Sequence, residues 1–211
     1  ACAPFRRLNL CNKNFQKINN IDSSKARHNL LVDVCMAAKY EGNSINTPYP
    51  KHKQTNNDSV SQLCTVLARS FADIGDIVRG RDIFRGNDKE KEQRKQLDEN
   101  LKEIFKKIHE GLSESAKKHY TDNKDPNFLK LREDWWTANR HTVWEAMTCH
   151  AGDSDEYFRK TCSKGQGETQ GKCRCPETSG ANAGKGSDNV SIVPTYFDYV
   201  PQFLRWFEEW A

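Results

Sequence analysis

Cysteine is the residue type whose chemistry most constrains the fold of this 211-residue chain. The eight cysteines are Cys2, Cys11, Cys35, Cys64, Cys149, Cys162, Cys173 and Cys175. So large and even a number favours a disulfide framework formed in an oxidising compartment. A zinc site is the alternative, since Cys162, Cys173 and Cys175 could join Cys149 or His150, but this CxC spacing matches no familiar zinc ribbon.

Sequence motifs that carry catalysis are missing. The six histidines show no HExxH spacing, and the chain contains no GxSxG, P-loop or GxGxxG motif. The sequence therefore predicts a protein that is not an enzyme and that uses neither a metal nor a cofactor.

A row of lysines could bind an anionic ligand. At about 100° per residue, Lys91, Lys95, Lys102 and Lys106 fall within about 60° of one another on a predicted helix. We call these four residues the lysine stripe. Its possible extensions are Arg79, Arg81 and Arg85.

An acidic row beside the lysine stripe supports a second interpretation. The row consists of Glu92, Glu99, Glu103 and Glu110. The whole face could then be a solvated surface laced with i,i+3 and i,i+4 ion pairs. If the chain binds a sulfated glycan, we expect the lysine stripe to be the site.

The composition is that of a globular domain with a surface of mixed charge. Hydrophobic residues make up 36% and charged residues 29%, with a formal net charge of only +4, which argues against a dedicated nucleic-acid binder. No apolar run reaches the roughly 18 residues of a membrane span. The first residues lack the order of a signal peptide, so we expect any targeting or anchoring segment to lie outside this sequence.

Hydrophobic periodicity predicts helices through most of the chain. Residues 23–42 read as a helix capped by Ser23 or Ser24 and stopped at Gly42. Residues 59–80 form a second helix that stops at a glycine, and residues 88–112 form a third, longer one.

A tryptophan-rich helix follows, with Asp125 as its cap and Pro126 in its first turn. Its apolar residues lie on two sides, which is typical of a helix packed between neighbours. We therefore expect the large aromatic residues to form a scaffold core, with a ligand-stacking platform as the alternative. These core residues are Trp135, Trp136, Trp144 and, from the preceding helix, Phe71.

The remaining segments divide the chain. Residues 163–189 are rich in Gly, Ser, Asn and Thr and predict a loop or disorder. Pro201 is placed to start a last helix whose apolar face carries Phe203, Leu204, Phe207 and Trp210. We expect a loop-rich N-terminal subdomain with one helix at residues 1–58 and a helical bundle at residues 59–211.

Two disulfide bonds can be proposed from these helices. Cys64 lies on the core side of its helix, and Cys149 closes the tryptophan-rich helix, so we expect the two to pair. We expect Cys162 to pair within residues 173–175.

Five long motifs follow one another along the chain. They are "ACAPFRRLNLC", "LCTVLARSFADIGDIVRGRDIF", "LREDWWTANRHTVWEAMTC", "KCRC" and "PTYFDYVPQFLRWFEEW". In this order they resemble the alpha-class Duffy-binding-like domains of the malaria parasite's variant erythrocyte membrane protein 1. The resemblance implies a mainly α, disulfide-stapled helical fold with long loops, of which this chain has the first two of three subdomains.

The resemblance also implies a function and a location. Such domains lie outside the membrane on the surface of infected erythrocytes, adhere to host receptors and vary to escape antibodies. The implied partners are a host receptor or a sulfated or blood-group glycan, antibodies, and neighbouring domains of the same chain. Alpha-class domains are linked to rosetting, but four cysteines between "DIGDI" and "PQFLR" resemble the form less linked to it.

Two hypotheses of function remain open. In the first, the domain is an adhesion module that binds a receptor or glycan on its own surface. In the second, it is a scaffold that presents variable segments, such as residues 43–59, 87–95 and 163–189, while a neighbouring domain carries the receptor site.

Overall fold

The computed structural model describes residues 2–12, 14, 25–48, 63–120, 125–169, 171–175 and 193–211. Their helices are α1 (Phe5–Leu8), α2 (Ala26–Asn46), α3 (Leu63–Arg79), α4 (Asp88–Glu110), α5 (Glu114–Lys117), α6 (Leu129–Met147), α7 (Cys162–Gly165) and α8 (Gln202–Trp210). Short 3₁₀ turns lie at Lys118–Tyr120 and Phe197–Tyr199. This part of the chain contains no β-strand, which confirms the mainly α fold.

Helix α3 lies at the centre of the molecule and packs against both α2 and α6. Nearly every residue from Leu67 to its end is buried, because neighbouring elements cover it on all sides. It ends at Gly80, whose φ of 71° is the left-handed conformation that glycine adopts without strain. The predicted stop of this helix is therefore confirmed.

The tryptophans of α6 lie in this core. The Phe71 ring from α3 packs against Trp136 at 5.1 Å and against Trp144 at 5.2 Å between centroids. The Trp136 Nε1–H donates to Asp198, and the Trp144 Nε1–H donates to the carbonyl oxygen of Cys173. These two indole donors are satisfied, so their rings are buried without an unpaired polar group. The third tryptophan of α6, Trp135, is also buried, but its indole N–H has no hydrogen-bond partner among the described residues.

Helix α2 continues one turn beyond its predicted stop. It runs through Gly42 to Asn46, so the expectation that Gly42 ends the helix is wrong. Gly42 is buried where α2 crosses α6, and a Cβ there would lie 1.9 Å from the Met147 carbonyl oxygen. The glycine thus permits close helix packing. The predicted caps Ser23 and Ser24 lie outside the described residues.

Two helix starts show how capping works here. Asn87 and Glu90 form a reciprocal capping box at the start of α4. Asp125 accepts from the backbone N–H groups of Leu129 and Lys130, so it does cap α6. Pro126 is not in the first turn, because the helix begins three residues later, after Phe128 at φ 56°.

The disulfide bonds differ in part from those expected. Cys64 bonds to Cys173, so the predicted Cys64–Cys149 bond is wrong. Cys149 is exposed, whereas Cys173 is buried against α3. Cys162 bonds to Cys175, within the region expected.

The chemistry of these four cysteines excludes the zinc alternative, because bridged sulfurs are not thiolate ligands. Outside the two bridges lie Cys2 and Cys149, which are exposed, and Cys35, which is half-buried. Burial and Glu145 raise the pKa of the Cys35 thiol to about 11.

The proposed division at residue 58 stays a prediction, because residues 49–62 lie outside the described part of the chain. Helix α2 shares one hydrophobic core with α3, α4 and α6. Of the predicted loop at 163–189, residues 170 and 176–189 also lie outside the described part. The predicted variable segment at 87–95 forms the cap and first two turns of α4.

Helix α8 turns its polar side inward. Its buried residues are Gln202, Arg205 and Trp206, whereas its exposed large residues are Phe203, Leu204, Phe207 and Trp210.

Among the described helices, none is both long and apolar enough to span a membrane.

Candidate anion-binding surface

The lysine stripe lies on the outward side of α4. Lys91, Lys95 and Lys106 are exposed, and Lys102 is half-buried. The stripe consists of two pairs, since Lys91 and Lys95 are one turn apart, as are Lys102 and Lys106. At about 1.5 Å of rise per residue, roughly 10 Å separates the pairs along the helix axis.

None of the four stripe ammonium groups is paired with a carboxylate of the described residues. Lysines that do form ion pairs there include Lys117, Lys160 and Lys172. The expected lacing of i,i+3 and i,i+4 pairs between the lysine stripe and the acidic row is therefore not formed. The positive charge of the stripe remains available to an external anion.

The three arginines proposed as extensions have different environments. Arg79 is buried, and its guanidinium contacts Asp76, Glu133 and the Asp198 carbonyl. Its assignment to a glycan-binding surface is therefore wrong, because a ligand cannot reach it. Arg81 is exposed but paired with Glu133 at 2.9 Å, whereas Arg85 is exposed.

A groove of about 300 Å³ runs along one side of the stripe. Lysines Lys91 and Lys95 form part of its lining. Its other lining residues come from the N-terminal segment, from α3 and the loop after it, and from α4: Arg7, Asn12, Ile77, Gly80, Asp82, Arg94, Leu97, Asp98 and Leu101.

The sequence positions of the lining residues explain where the groove lies. On a helical wheel at about 100° per residue, the acidic row lies about 70° to one side of the lysine stripe. Arg94 and Asp98 lie on the other side, between the stripe and the apolar face, to which Leu101 belongs. The groove is thus separated from the acidic row by the lysines themselves.

The two carboxylates in the groove already have cationic partners. Asp82 contacts the guanidiniums of Arg7 at 2.5 Å and Arg94 at 3.3 Å. Asp98 contacts Arg132 at 2.9 Å. Arg7 and Arg94 thus share one carboxylate, and the ammonium groups of Lys91 and Lys95 have none, so cations outnumber carboxylates in the lining.

The Arg94 guanidinium is partly buried beside Asp82. Burial lowers its pKa most, Asp82 and Asp98 oppose that shift, and the nearby charges of Arg7 and Arg85 add to it. Arg94 keeps its positive charge at neutral pH, so it adds to the cations that line the groove.

Sequence reasoning missed Arg7, Asn12 and Arg94 as groove residues. Arg7 lies far from α4 in sequence, and it reaches the groove because its guanidinium stacks on Phe84 at 4.5 Å and pairs with Asp82. No local pattern reveals such a contact. Arg94 could have been found, because its wheel position borders the stripe on the side away from the acidic row.

A second charged cluster is buried between α1, α3 and α8. Asp73 accepts from Arg6, Arg205 and Gln202, at 2.7, 2.8 and 3.1 Å. Asp76 contacts Arg205 and Arg79. We call Arg6, Asp73, Asp76, Arg79, Gln202 and Arg205 the buried ionic network. Because its charged groups bind one another, the network holds α1, α3 and α8 together.

Two neighbouring carboxylates of this network have opposite pKa shifts. Burial raises the pKa of Asp73, but Arg6 and Arg205 outweigh it and bring the pKa below its ordinary value. For Asp76, burial outweighs Arg205 and raises the pKa to about 6.

No group of His, Cys, Asp and Glu residues among those described could hold a metal ion.

The sequence matches one protein family over most of its length. The pattern of the Duffy binding domain covers residues 1–205. No curated protein matches the chain.

Solved structures extend this similarity. The chain is 45% identical to the N-terminal NTS-DBL1-alpha and CIDR-gamma double domain of PfEMP1 from the varO strain of Plasmodium falciparum, with a TM-score of 0.77. A structure of the NTS-DBL1(alpha-1) domain from the same strain is also 45% identical, with a TM-score of 0.76. The similarity covers 100% of this chain in both cases, but 27% and 43% of those chains.

A more distant relative was solved with a partner. The DBLbeta domain of PfEMP1 IT4var13, bound to ICAM-1, is 32% identical with a TM-score of 0.60; the match covers 100% of this chain and 44% of that one. The chain thus spans less than half the length of each of these three structures.

Proposed function

The chain belongs to the Duffy binding domain family, and on that premise we propose that it is an extracellular adhesion module of a variant surface antigen on infected erythrocytes. Its partners are receptors or glycans of host red cells or endothelium, and its exposed segments vary under antibody selection. The ICAM-1 complex of the DBLbeta relative supports a receptor as the kind of partner.

The observation that carries the proposal is the unpaired lysine stripe. A folded surface seldom gains stability from four like charges along one helix, since ammonium groups at i,i+4 repel one another by a few tenths of a kcal/mol. A linear polyanion removes that repulsion and contacts both lysine pairs over roughly 22 Å of helix. A sulfated glycan such as heparan sulfate has this shape and charge, and its binding would contribute to cytoadherence and rosetting.

Heparin affinity chromatography tests the stripe. We expect the variant with all four stripe lysines changed to Glu to elute at clearly lower salt than the wild type, because the contacts are exposed and screened. A control with the same charge change reverses four other exposed cations, at the start of α2 and beside the Cys162–Cys175 bond: Lys25, Arg27, Lys160 and Lys172. The ion pairs of Lys160 and Lys172 are exposed, so their loss should affect stability little. Equal elution of both variants would eliminate the stripe as the glycan site, since net charge alone would then explain retention.

Adhesion itself requires a cellular assay. We expect the fluorescently labelled chain to bind uninfected red cells or cultured endothelial cells, and soluble heparin to compete. In the alternative, this domain is a scaffold and a neighbouring domain carries the receptor site. The alternative is supported by the comparison with solved structures, because this chain matches less than half the length of each relative. Absence of cell binding by this chain, together with binding by a longer chain, would establish that alternative.

A further inference from the structure

The two halves of the lysine stripe have different surroundings. Lys91 and Lys95 open onto the groove, whereas Lys102 and Lys106 do not line it. A concave surface therefore lies beside Lys91 and Lys95, whereas Lys102 and Lys106 lie on the outer surface of α4, away from this groove. A ligand that needs shape as well as charge would use the first pair.

The groove combines three kinds of surface. Ile77, Leu97 and Leu101, which are almost completely buried, supply a small apolar area. Asp98 and Asn12 offer polar atoms at its edge, and the two lysines supply unpaired positive charge. Its volume of about 300 Å³ lies at the lower end of the range of about 300 to 1,000 Å³ for small-molecule sites, which suits one ring and not a chain of several.

We infer that this groove binds a single acidic sugar residue, a pyranose ring that carries a carboxylate or a sulfate ester. The anionic group lies between Lys91 and Lys95, one C–H face of the ring packs on the apolar surface, and Asp98 and Asn12 bond to ring hydroxyls. The inference rests on the proposed adhesive function and makes it more specific: the groove holds one acidic residue, while the remainder of the stripe contacts the glycan chain.

The electrostatics of the groove favour this ligand over a neutral sugar. Four cations line the groove, Arg7, Lys91, Arg94 and Lys95, against the carboxylates of Asp82 and Asp98. Because both carboxylates are paired with arginines, they repel an incoming anion weakly and still accept hydrogen bonds from hydroxyls. A neutral pyranose would leave both ammonium groups without a partner.

Calorimetric titration of the chain with monosaccharides tests the inference. The probes are glucuronic acid, N-acetylglucosamine 6-sulfate, glucose and inorganic sulfate. We expect at least one acidic sugar to bind with a Kd of about 1 mM, as a ligand of this size permits, and glucose to show no binding. The comparison of the two acidic sugars identifies which anionic group is preferred.

Two variants and one control locate the site. Lys91→Glu with Lys95→Glu should weaken acidic-sugar binding about tenfold or more. Asn12→Trp should abolish it by filling the groove, without any change of charge. Lys160→Glu with Lys172→Glu carries the same charge change beside the Cys162–Cys175 bond and should leave the affinity within about twofold. Circular dichroism and melting temperature verify the fold of each variant.

Several outcomes would overturn the inference. One is that neither acidic sugar binds, and another is that the Lys91/Lys95 variant and the Lys160/Lys172 control bind equally well. Inorganic sulfate that binds as tightly as the sulfated sugar would show that the apolar surface is not used. Because these titrations use no cells, they are independent of the adhesion assay: acidic-sugar binding without cell binding would retain the groove and reject the adhesive function.

Discussion

The buried ionic network and the outer surface of α4 are both highly charged, yet their charges do opposite work. In the network, Asp73 lies within 2.8 Å of both Arg6 and Arg205, and the groups are almost completely buried. On α4, the four lysines of the stripe have no carboxylate partner within the described part of the chain. Charge that is buried and paired fixes the fold, whereas charge that is exposed and unpaired remains available to a ligand.

The residue types in the two regions fit these roles. The cations of the network are arginines, whose planar guanidinium bonds to two acceptors at once in a fixed geometry. The cations of the stripe are lysines, whose ammonium groups are strongly hydrated and lie at the end of a flexible side chain. The Arg205 guanidinium contacts Asp73 and Asp76 through one nitrogen and the Val200 carbonyl oxygen through another, an arrangement that the single nitrogen of a lysine does not reproduce.

The largest expected effect comes from the aromatic core that the network surrounds. Trp136 is fully buried against Phe71, and its indole N–H donates to Asp198. We expect Trp136→Ala to lower the free energy of unfolding by about 3 to 5 kcal/mol, because the truncation leaves a cavity. Denaturant unfolding followed by circular dichroism measures this change.

Trp210 is the matched control for that experiment. It is 60% exposed on the outward side of α8, so Trp210→Ala should cost about 1 kcal/mol or less. Similar losses for the two tryptophans would contradict the placement of Trp136 in the core.

The network itself should show the next largest effect. Asp73→Asn keeps the shape of the side chain but leaves Arg6 and Arg205 with one buried anion fewer. We expect a loss of about 3 kcal/mol in the free energy of unfolding at pH 7, because breaking a buried pair strands a charge. Chemical denaturation at neutral pH measures it.

Asp76→Asn is the comparison that sharpens this prediction. The pKa of Asp73 lies below its ordinary value, so its carboxylate stabilises the fold at neutral pH and loses that contribution as pH falls below about 4. The pKa of Asp76 is raised to about 6, so its contribution is greatest below about 4 and is lost as pH rises through 6. At pH 7 Asp76→Asn should therefore cost less than Asp73→Asn; the reverse order would contradict these opposite shifts.

Local sequence signals predicted the helices that are defined by periodicity and caps. The end of α3 follows from the glycine at position 80, and the extent of α4 follows from its apolar stripe, whereas the Asn87 cap was not predicted. The lysine stripe could also be predicted, since it depends only on the geometry of one helix. Interactions between residues close in sequence are enough to predict helix ends and the residues that share one face of a helix.

Features created by contacts between distant segments could not be predicted in this way. Gly42 looks like a helix stop, but contact with Met147 makes it a packing residue. Cys64 pairs with Cys173 and not with Cys149, because the position of the later segment against α3 decides the pairing. Arg79 looks exposed by its position at a helix end, yet Asp198 lies over it.

A smaller effect is expected where α2 crosses α6. We expect Gly42→Ala to lower the free energy of unfolding by about 1 to 3 kcal/mol, because the new methyl group would overlap the Met147 carbonyl and force the helices apart. Thermal unfolding measures the change. Alanine at position 44, an exposed serine of the same helix, is the control, and it should not destabilise the chain. A stable Gly42→Ala protein would mean that the two helices can separate without cost.

The smallest effect on stability is expected on α4, and it bears directly on the difference between the two regions. Changing all four stripe lysines to Glu should alter the free energy of unfolding by no more than about 0.5 kcal/mol at moderate salt, because no ion pair of the described residues is lost. The new carboxylates lie beside the acidic row, so the repulsion between them should appear at low salt and fade as salt rises. Urea unfolding at two salt concentrations measures both terms, on the same protein used for heparin chromatography. A large loss of stability at high salt would show that the stripe lysines stabilise the fold. The proposed difference between the buried ionic network, which stabilises the fold, and the lysine stripe, which is available to a ligand, would then be wrong.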